Sequence, residues 1–144
     1  MDVEAIATVA VDCGFKLHQQ LGPGLLESVY EAVLAHSLER RGLAVERQKA
    51  VPIRIEGLSF DEGFRADLLV EGRLLIELKC AERFAPAHVK QVLTYLRLMD
   101  LPLGLLMNFG TATFREGVRR VVNNHGPPGV FAPSRLRASP IADA

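Results

Sequence analysis

The stretch Phe64-Arg65-Ala66-Asp67-Leu68-Leu69-Val70-Glu71-Gly72-Arg73-Leu74-Leu75-Ile76-Glu77-Leu78-Lys79 decides the fold. Two apolar runs flank Glu71-Gly72-Arg73, and a glycine at that corner suits the left-handed residue of a three-residue hairpin loop. With such a loop Val70 pairs with Leu74, and Asp67 falls opposite Glu77. Side chains alternate along a strand, so Lys79 shares the face of Glu77 and three charged tips converge on one patch of an otherwise apolar sheet. A two-residue loop would send Asp67 and Glu77 to opposite faces. The site therefore depends on register.

Two carboxylates with Cβ atoms about 5 Å apart repel each other. Both cannot stay ionised in a low-dielectric setting unless a cation sits between them. A divalent metal is the usual remedy, and hard oxygen ligands without soft ones point to Mg²⁺ or Mn²⁺. A structural ion pair, with Lys79 neutralising one acid, satisfies the same spacing. The pattern D-x9-E-x-K alone does not choose between the two.

Composition sets the frame. A chain of 144 residues, 49% hydrophobic and 24% charged, is long enough for one domain with a real core. No apolar run approaches the length of a membrane span, and no basic segment followed by an apolar stretch opens the chain, so a soluble, cytoplasmic protein is expected. Cys13 and Cys80 are too far apart for a CxxC metal site. Net charge is zero, which argues against coating nucleic acid by charge alone. The halves differ, however: residues 1–62 hold ten acids against six bases, and residues 101–144 hold two against five. Those five are Arg115, Arg119, Arg120, Arg135 and Arg137, either a basic face near a C-terminal helix or a solvated surface.

Periodicity gives one αβ unit over residues 1–122. A helix over 3–20 ends at Leu21-Gly22-Pro23-Gly24. A second helix, about 25–41, buries Leu26, Val29, Val33, Leu34 and Leu38, with Gly42 placed at its C-terminus. A strand over 44–55 follows, in which Pro52 favours either a sheet edge or the strand's end. After the charged hairpin come a helix opened by Pro86 and running to Met99, a buried strand from Leu103 to Phe109, and a short helix near 114–122. Pro, Gly, Ser and Arg dominate residues 123–144, which read as a mobile or loosely packed tail.

Two helices carry polar residues that a core pattern does not require. His88, Gln91 and Tyr95 form one stripe on the third helix, and Glu27 and Tyr30 lie one turn apart on the second. No Ser/His/Asp ordering, phosphate loop or His-Glu-x-x-His helix competes with the hairpin, and His18, His36 and His125 stand isolated.

Gly24-Leu25-Leu26-Glu27-Ser28-Val29-Tyr30 resembles the signature of the GxxExxY proteins, a branch of the PD-(D/E)XK nuclease superfamily. Glu46-Arg47-Gln48-Lys49, Phe64-Arg65-Ala66-Asp67, Ile76-Glu77-Leu78-Lys79, Gln91-Val92-Leu93-Thr94-Tyr95-Leu96, Leu105-Leu106-Met107-Asn108-Phe109 and Glu116-Gly117-Val118-Arg119-Arg120 extend the likeness over about residues 5–122. The resemblance implies a restriction-endonuclease-like αβββαβ core, a mixed central sheet flanked by helices. It implies Asp67, Glu77 and Glu27 as metal-binding acids, Lys79 as the residue that orients or stabilises the attacking hydroxide, and Gln91 as a glutamine beside it. Ala66 stands where the superfamily's name has proline.

The expectation is thus a Mg²⁺- or Mn²⁺-dependent nuclease acting on nucleic acid, DNA in the first instance. Tyr95, Arg115, Arg119 and Arg120 are the candidate substrate contacts. A small chain without a large basic surface holds a duplex weakly as a monomer, so a homodimer is expected. Two other classes fit the same residues: a nucleic-acid or nucleotide-binding module without turnover, and an assembly or regulatory protein that retains the fold.

Overall fold

The computed structural model describes residues 1–124 and the backbone of Arg137–Pro140. Asp2 starts α1 (Val3–Leu21) by accepting the Ala5 N–H at 2.8 Å, and Ile6, Ala10, Cys13 and Leu17 form its buried stripe. α2 (Glu27–Arg40) ends where Gly42 takes φ 85° and Leu43 N–H reaches back to Leu38 O at 3.2 Å. Then follow β1 (Val45–Ile55), β2 (Leu58–Val70), β3 (Leu74–Lys79), α3 (Pro86–Met99), β4 (Leu103–Asn108), α4 (Phe114–Gly117), β5 (Val118–Val122) and β6 (Arg137–Pro140).

The strands form one mixed sheet in the order β1-β2-β3-β4-β5-β6. All neighbours are antiparallel except β3 and β4, whose parallel pairing is bridged by α3 as the crossover. Leu68, Val70, Ile76, Leu78, Leu105 and Met107 pack against α1 and α2. Leu75, Leu106 and Val121 pack against Val92, Leu93 and Leu96 of α3. With helices on both faces, β4 is buried along its whole length, which is why Leu103-Gly104-Leu105-Leu106-Met107 reads as an unbroken apolar run. This is the layered α/β arrangement of a restriction-endonuclease-like core.

The hairpin takes the expected register, Val70 opposite Leu74, with Glu71 at φ 54° and Gly72 at φ 64° in the three-residue loop. β1 is an edge strand, and Pro52 sits at the irregularity between Val51 and Ile53.

Three expectations are corrected. On α2 the buried face is Tyr30, Glu31, Leu34, Ala35 and Leu38, so Leu26 and Val29 are exposed. The helix over 114–122 is a single turn, after which Val118–Val122 pairs with β4; a β-branched run beside an open strand edge finds its hydrogen bonds there. Within the stretch read as a tail, Arg137–Pro140 pairs antiparallel with β5, while residues 125–136 and 141–144 lie outside the described residues.

Asn108 fastens the ends of the parallel pair. Its Oδ1 accepts Ala81 N–H at 3.0 Å and Gly110 N–H at 2.9 Å, so the chain leaving Lys79 is held against the chain leaving β4. A Cβ on Gly110 would lie 2.5 Å from Ala81 O and 2.7 Å from Ala81 N, both backbone atoms that cannot swing away. Gly110→Ala is therefore expected to destabilise the fold by about 1–3 kcal/mol, read as a drop of several degrees in Tm by calorimetry. An unchanged Tm would show that the two exits are not tightly joined.

Candidate active site

The β2–β3 ladder closes at Leu68↔Ile76, one residue short of Asp67 and Glu77. There the carboxylates replace the carbonyls a regular ladder would offer. Asp67 N–H donates to Glu77 Oε2 at 2.7 Å, and Leu78 N–H donates to Asp67 Oδ2 at 2.9 Å. Ala66 packs on the α3 side, whereas Leu68 packs on the side of α1 and α2. Residues two apart share a face in a regular strand, so β2 turns over at Asp67. Across from it, Gln48 holds a left-handed φ of 49° and is skipped between the pairs Arg47↔Leu68 and Lys49↔Ala66.

Glu77 is 4% exposed. Burial pushes its carboxyl up to about 8, and the Asp67 charge adds to the shift; the Asp67 N–H bond and the Lys79 charge oppose it. Burial also raises Asp67, against the bonds from Leu78 N–H and Gln48. Glu27, the first residue of α2, stands at the exposed rim, raised by partial desolvation and then by the Asp67 charge. Lys79 lowers all three acids. One ammonium thus serves three carboxyls, too little positive charge for all of them.

The model of a known family, the PD-(D/E)XK nuclease superfamily, matches residues 4–121, nearly the whole αβ unit. The chain belongs to this superfamily. No curated protein and no solved structure matches the chain to a comparable standard. Nucleases of the PD-(D/E)XK superfamily generally depend on a divalent metal, and the residues here fit one. The donors are hard carboxylate oxygens, and Glu77 ionises near neutrality only with added positive charge beside it. Asp67 and Glu77 are in direct contact through the Asp67 N–H and the Glu77 carboxylate; among the described residues no three His, Cys, Asp or Glu side chains gather tightly enough to hold a metal ion together. Glu27 is coupled to the pair by charge, not drawn into a cluster with it.

The G-x-x-E-x-x-Y spacing acquires a physical meaning. Tyr30 is fully buried, stacked 4.7 Å from the Phe109 ring, and its hydroxyl donates to Gly22 O at 2.5 Å while accepting Leu25 N–H at 3.2 Å. Tyr30 thereby pins the glycine loop that delivers Glu27 to the rim.

Other expected residues are placed unevenly. Tyr95 stacks on Phe64 at 3.8 Å, and its hydroxyl is pushed up by desolvation and then by Glu77 and Asp67, so it flanks the site. Gln91 is half-buried one turn earlier on α3. His88 is lowered by desolvation and then by Lys79, and its Nδ1 accepts Ala85 N–H at 3.4 Å at the helix start. His18 is a packing residue, buried with Nε2 2.9 Å from Thr111 O; His36 is exposed, and His125 lies outside the described residues.

The strand at 118–122 separates two arginines expected to act together. Arg119 lies opposite Leu106, on the Glu77 face, with its guanidinium 4.5 Å above the Phe84 ring. Arg120 lies opposite Leu105 on the other face, doubly bonded to Glu4 of α1. Arg115 is exposed on α4. Sequence reasoning missed Glu31, buried on α2, which accepts from Arg47 at 3.1 Å and from Gln48 at 2.5 Å. Its only sequence signal is the position one turn after Glu27.

A carboxyl raised to about 8 in the folded protein, against an ordinary 4.5, makes the native state the better proton binder between those values. Metal-free stability should therefore fall as pH rises through that window. Thermal melts in chelator are expected to show Tm declining from pH 5 to pH 8 and to lose most of that slope in Glu77→Gln. A flat wild-type profile would mean that Glu77 is better solvated than its burial implies.

Proposed function

We propose that this protein is a Mg²⁺- or Mn²⁺-dependent nuclease that hydrolyses phosphodiester bonds in DNA, of the GxxExxY branch. The observation that carries the reading is the pairing of half-buried Asp67 with buried Glu77, held at the parting of two strands with Lys79 two residues on, in a chain of the PD-(D/E)XK superfamily.

Asp67 and Glu77 would hold the cation, with Glu27 reaching it from the rim. When bound, a divalent ion supplies charge neutralisation at the phosphate and lowers the pKa of a bound water. Lys79 contributes a fixed positive charge beside the position of the attacking oxygen and steadies it as negative charge develops. Gln91 lies on the helix that covers this face and would orient the same oxygen or its phosphate. Tyr95 presents a neutral phenol at the wall of the site, suited to a hydrogen bond with substrate. Arg115 and Arg119 are the phosphate contacts favoured by position, since Arg119 shares the face of Glu77. Arg120 is already paired with Glu4 on the other face. Zero net charge leaves each chain with modest affinity for a duplex, so the working unit is a homodimer presenting two sites.

The test is a cleavage screen over linear, single-stranded and branched DNA and over RNA, with Mg²⁺ and Mn²⁺. Lys79→Ala should cut at least about 100-fold more slowly than wild type while binding substrate normally. Metal binding without cleavage of any substrate would favour a binding module, and calorimetry showing no metal uptake would favour an assembly or regulatory protein. Arg119→Ala should weaken binding on all sequences alike and reduce the salt slope by about one unit, whereas Arg120→Ala should change it much less. Equal effects would place the nucleic acid across both faces. Light scattering at micromolar concentration checks the dimer, and a monomer there removes it.

A further inference from the structure

Gln48 combines two features that ordinary strand residues lack. It adopts φ 49° in the middle of β1, a left-handed conformation disfavoured for any residue with a Cβ. Its side-chain amide spans two carboxylates, with Nε2 2.5 Å from Glu31 Oε1 and 3.1 Å from Asp67 Oδ1. An amide nitrogen carries two protons, one for each acceptor. Strained backbone persists only where its surroundings over-determine it, and here both partners are themselves fixed. Glu31 is 6% exposed and takes the Arg47 guanidinium at 3.3 Å and 3.1 Å through the oxygen that Gln48 does not use. Asp67 is held from the other side by Leu78 N–H through Oδ2.

The chain Arg47–Glu31–Gln48–Asp67 and the Leu78 N–H together therefore fix both oxygens of the Asp67 carboxylate. With Oδ2 tied to β3 and Oδ1 tied to β1, Asp67 cannot rotate about its terminal bond without breaking a hydrogen bond. The lone pairs left over point in a set direction. A carboxylate held in this way meets a cation without first having to be ordered.

We infer that Gln48 is the positioning residue for Asp67, aiming its carboxylate at a bound divalent cation, with Glu31 and Arg47 as the support behind it. The inference rests on the metal-dependent reading of the Asp67–Glu77 pair. Gln48 touches neither substrate nor metal; it acts through Asp67. Its left-handed backbone turns the side chain toward the kink in β2, where an extended residue would point it to one face or the other of the hairpin.

Two replacements separate positioning from folding. Gln48→Gly accepts the left-handed backbone without strain and removes the amide. Gln48→Asn also tolerates that backbone but falls a methylene short of bridging both carboxylates. Each is titrated with Mn²⁺ and followed by thermal shift and calorimetry beside wild type. The expected result is a metal-free Tm close to wild type in at least one variant, with Mn²⁺ affinity weakened about 10- to 100-fold in both. A variant that melts lower without metal yet binds Mn²⁺ like wild type would overturn the inference and leave Gln48 a structural role alone. Wild-type Mn²⁺ affinity with wild-type melting would overturn it equally. A wild-type protein that shows no response to Mn²⁺ would instead sink the metal-dependent function, and the inference with it.

Discussion

Everything near the site follows from one constraint: two carboxylates occupy the gap where β2 and β3 part, and each accepts a backbone N–H that has lost its strand partner. An unpartnered buried N–H is costly, so the carboxylates have a structural duty toward the sheet before any ligand arrives. The same burial opposes their ionisation, and Lys79 offsets only part of that. The sheet is thus satisfied in its hydrogen bonds and unsatisfied in its charge. A cation would resolve the second problem without disturbing the first, because the lone pairs used for the backbone leave others on the same oxygens.

The hairpin was legible in the sequence because its register hangs on a local element. Glu71-Gly72-Arg73 admits one comfortable loop, and from it the approach of Asp67 to Glu77 follows by counting. The family likeness could be read from ordered motifs for a related reason: G-x-x-E-x-x-Y encodes a loop, an acid and the phenol that ties the loop down. The buried face of α2 was misread because Leu26 and Val29 look like core, while the tie between Tyr30 and Gly22 rotates the helix to bury Glu31 instead.

Gln48 was out of reach for a different reason. Counting back along β1 from the Ile55↔Leu58 end would set Gln48 opposite Arg65, and the irregularity between Val51 and Ile53 moves it to Asp67. A bulge of this kind leaves little trace in composition beyond Pro52. β5 was missed because Val118-Arg119-Arg120-Val121 spaces its apolar residues as a helix would, and only the vacant edge of β4 makes the extended form better. In each case the deciding contact is distant in sequence.

The single parallel pairing among the described strands also orders the events of folding. A hairpin closes over a short loop, so Asp67 and Glu77 can meet as soon as β2 and β3 exist. The wall that covers them comes from α3, and β4 can join β3 only after the chain has completed that crossover. The Asn108 fastening behind Lys79 forms later still, since it needs the far ends of both strands. A chain growing from its N-terminus thus carries its acids before it carries their enclosure. Open to water, those acids ionise freely, so the suppressed ionisation of Glu77 arrives with the last long-range contacts rather than with the motif itself.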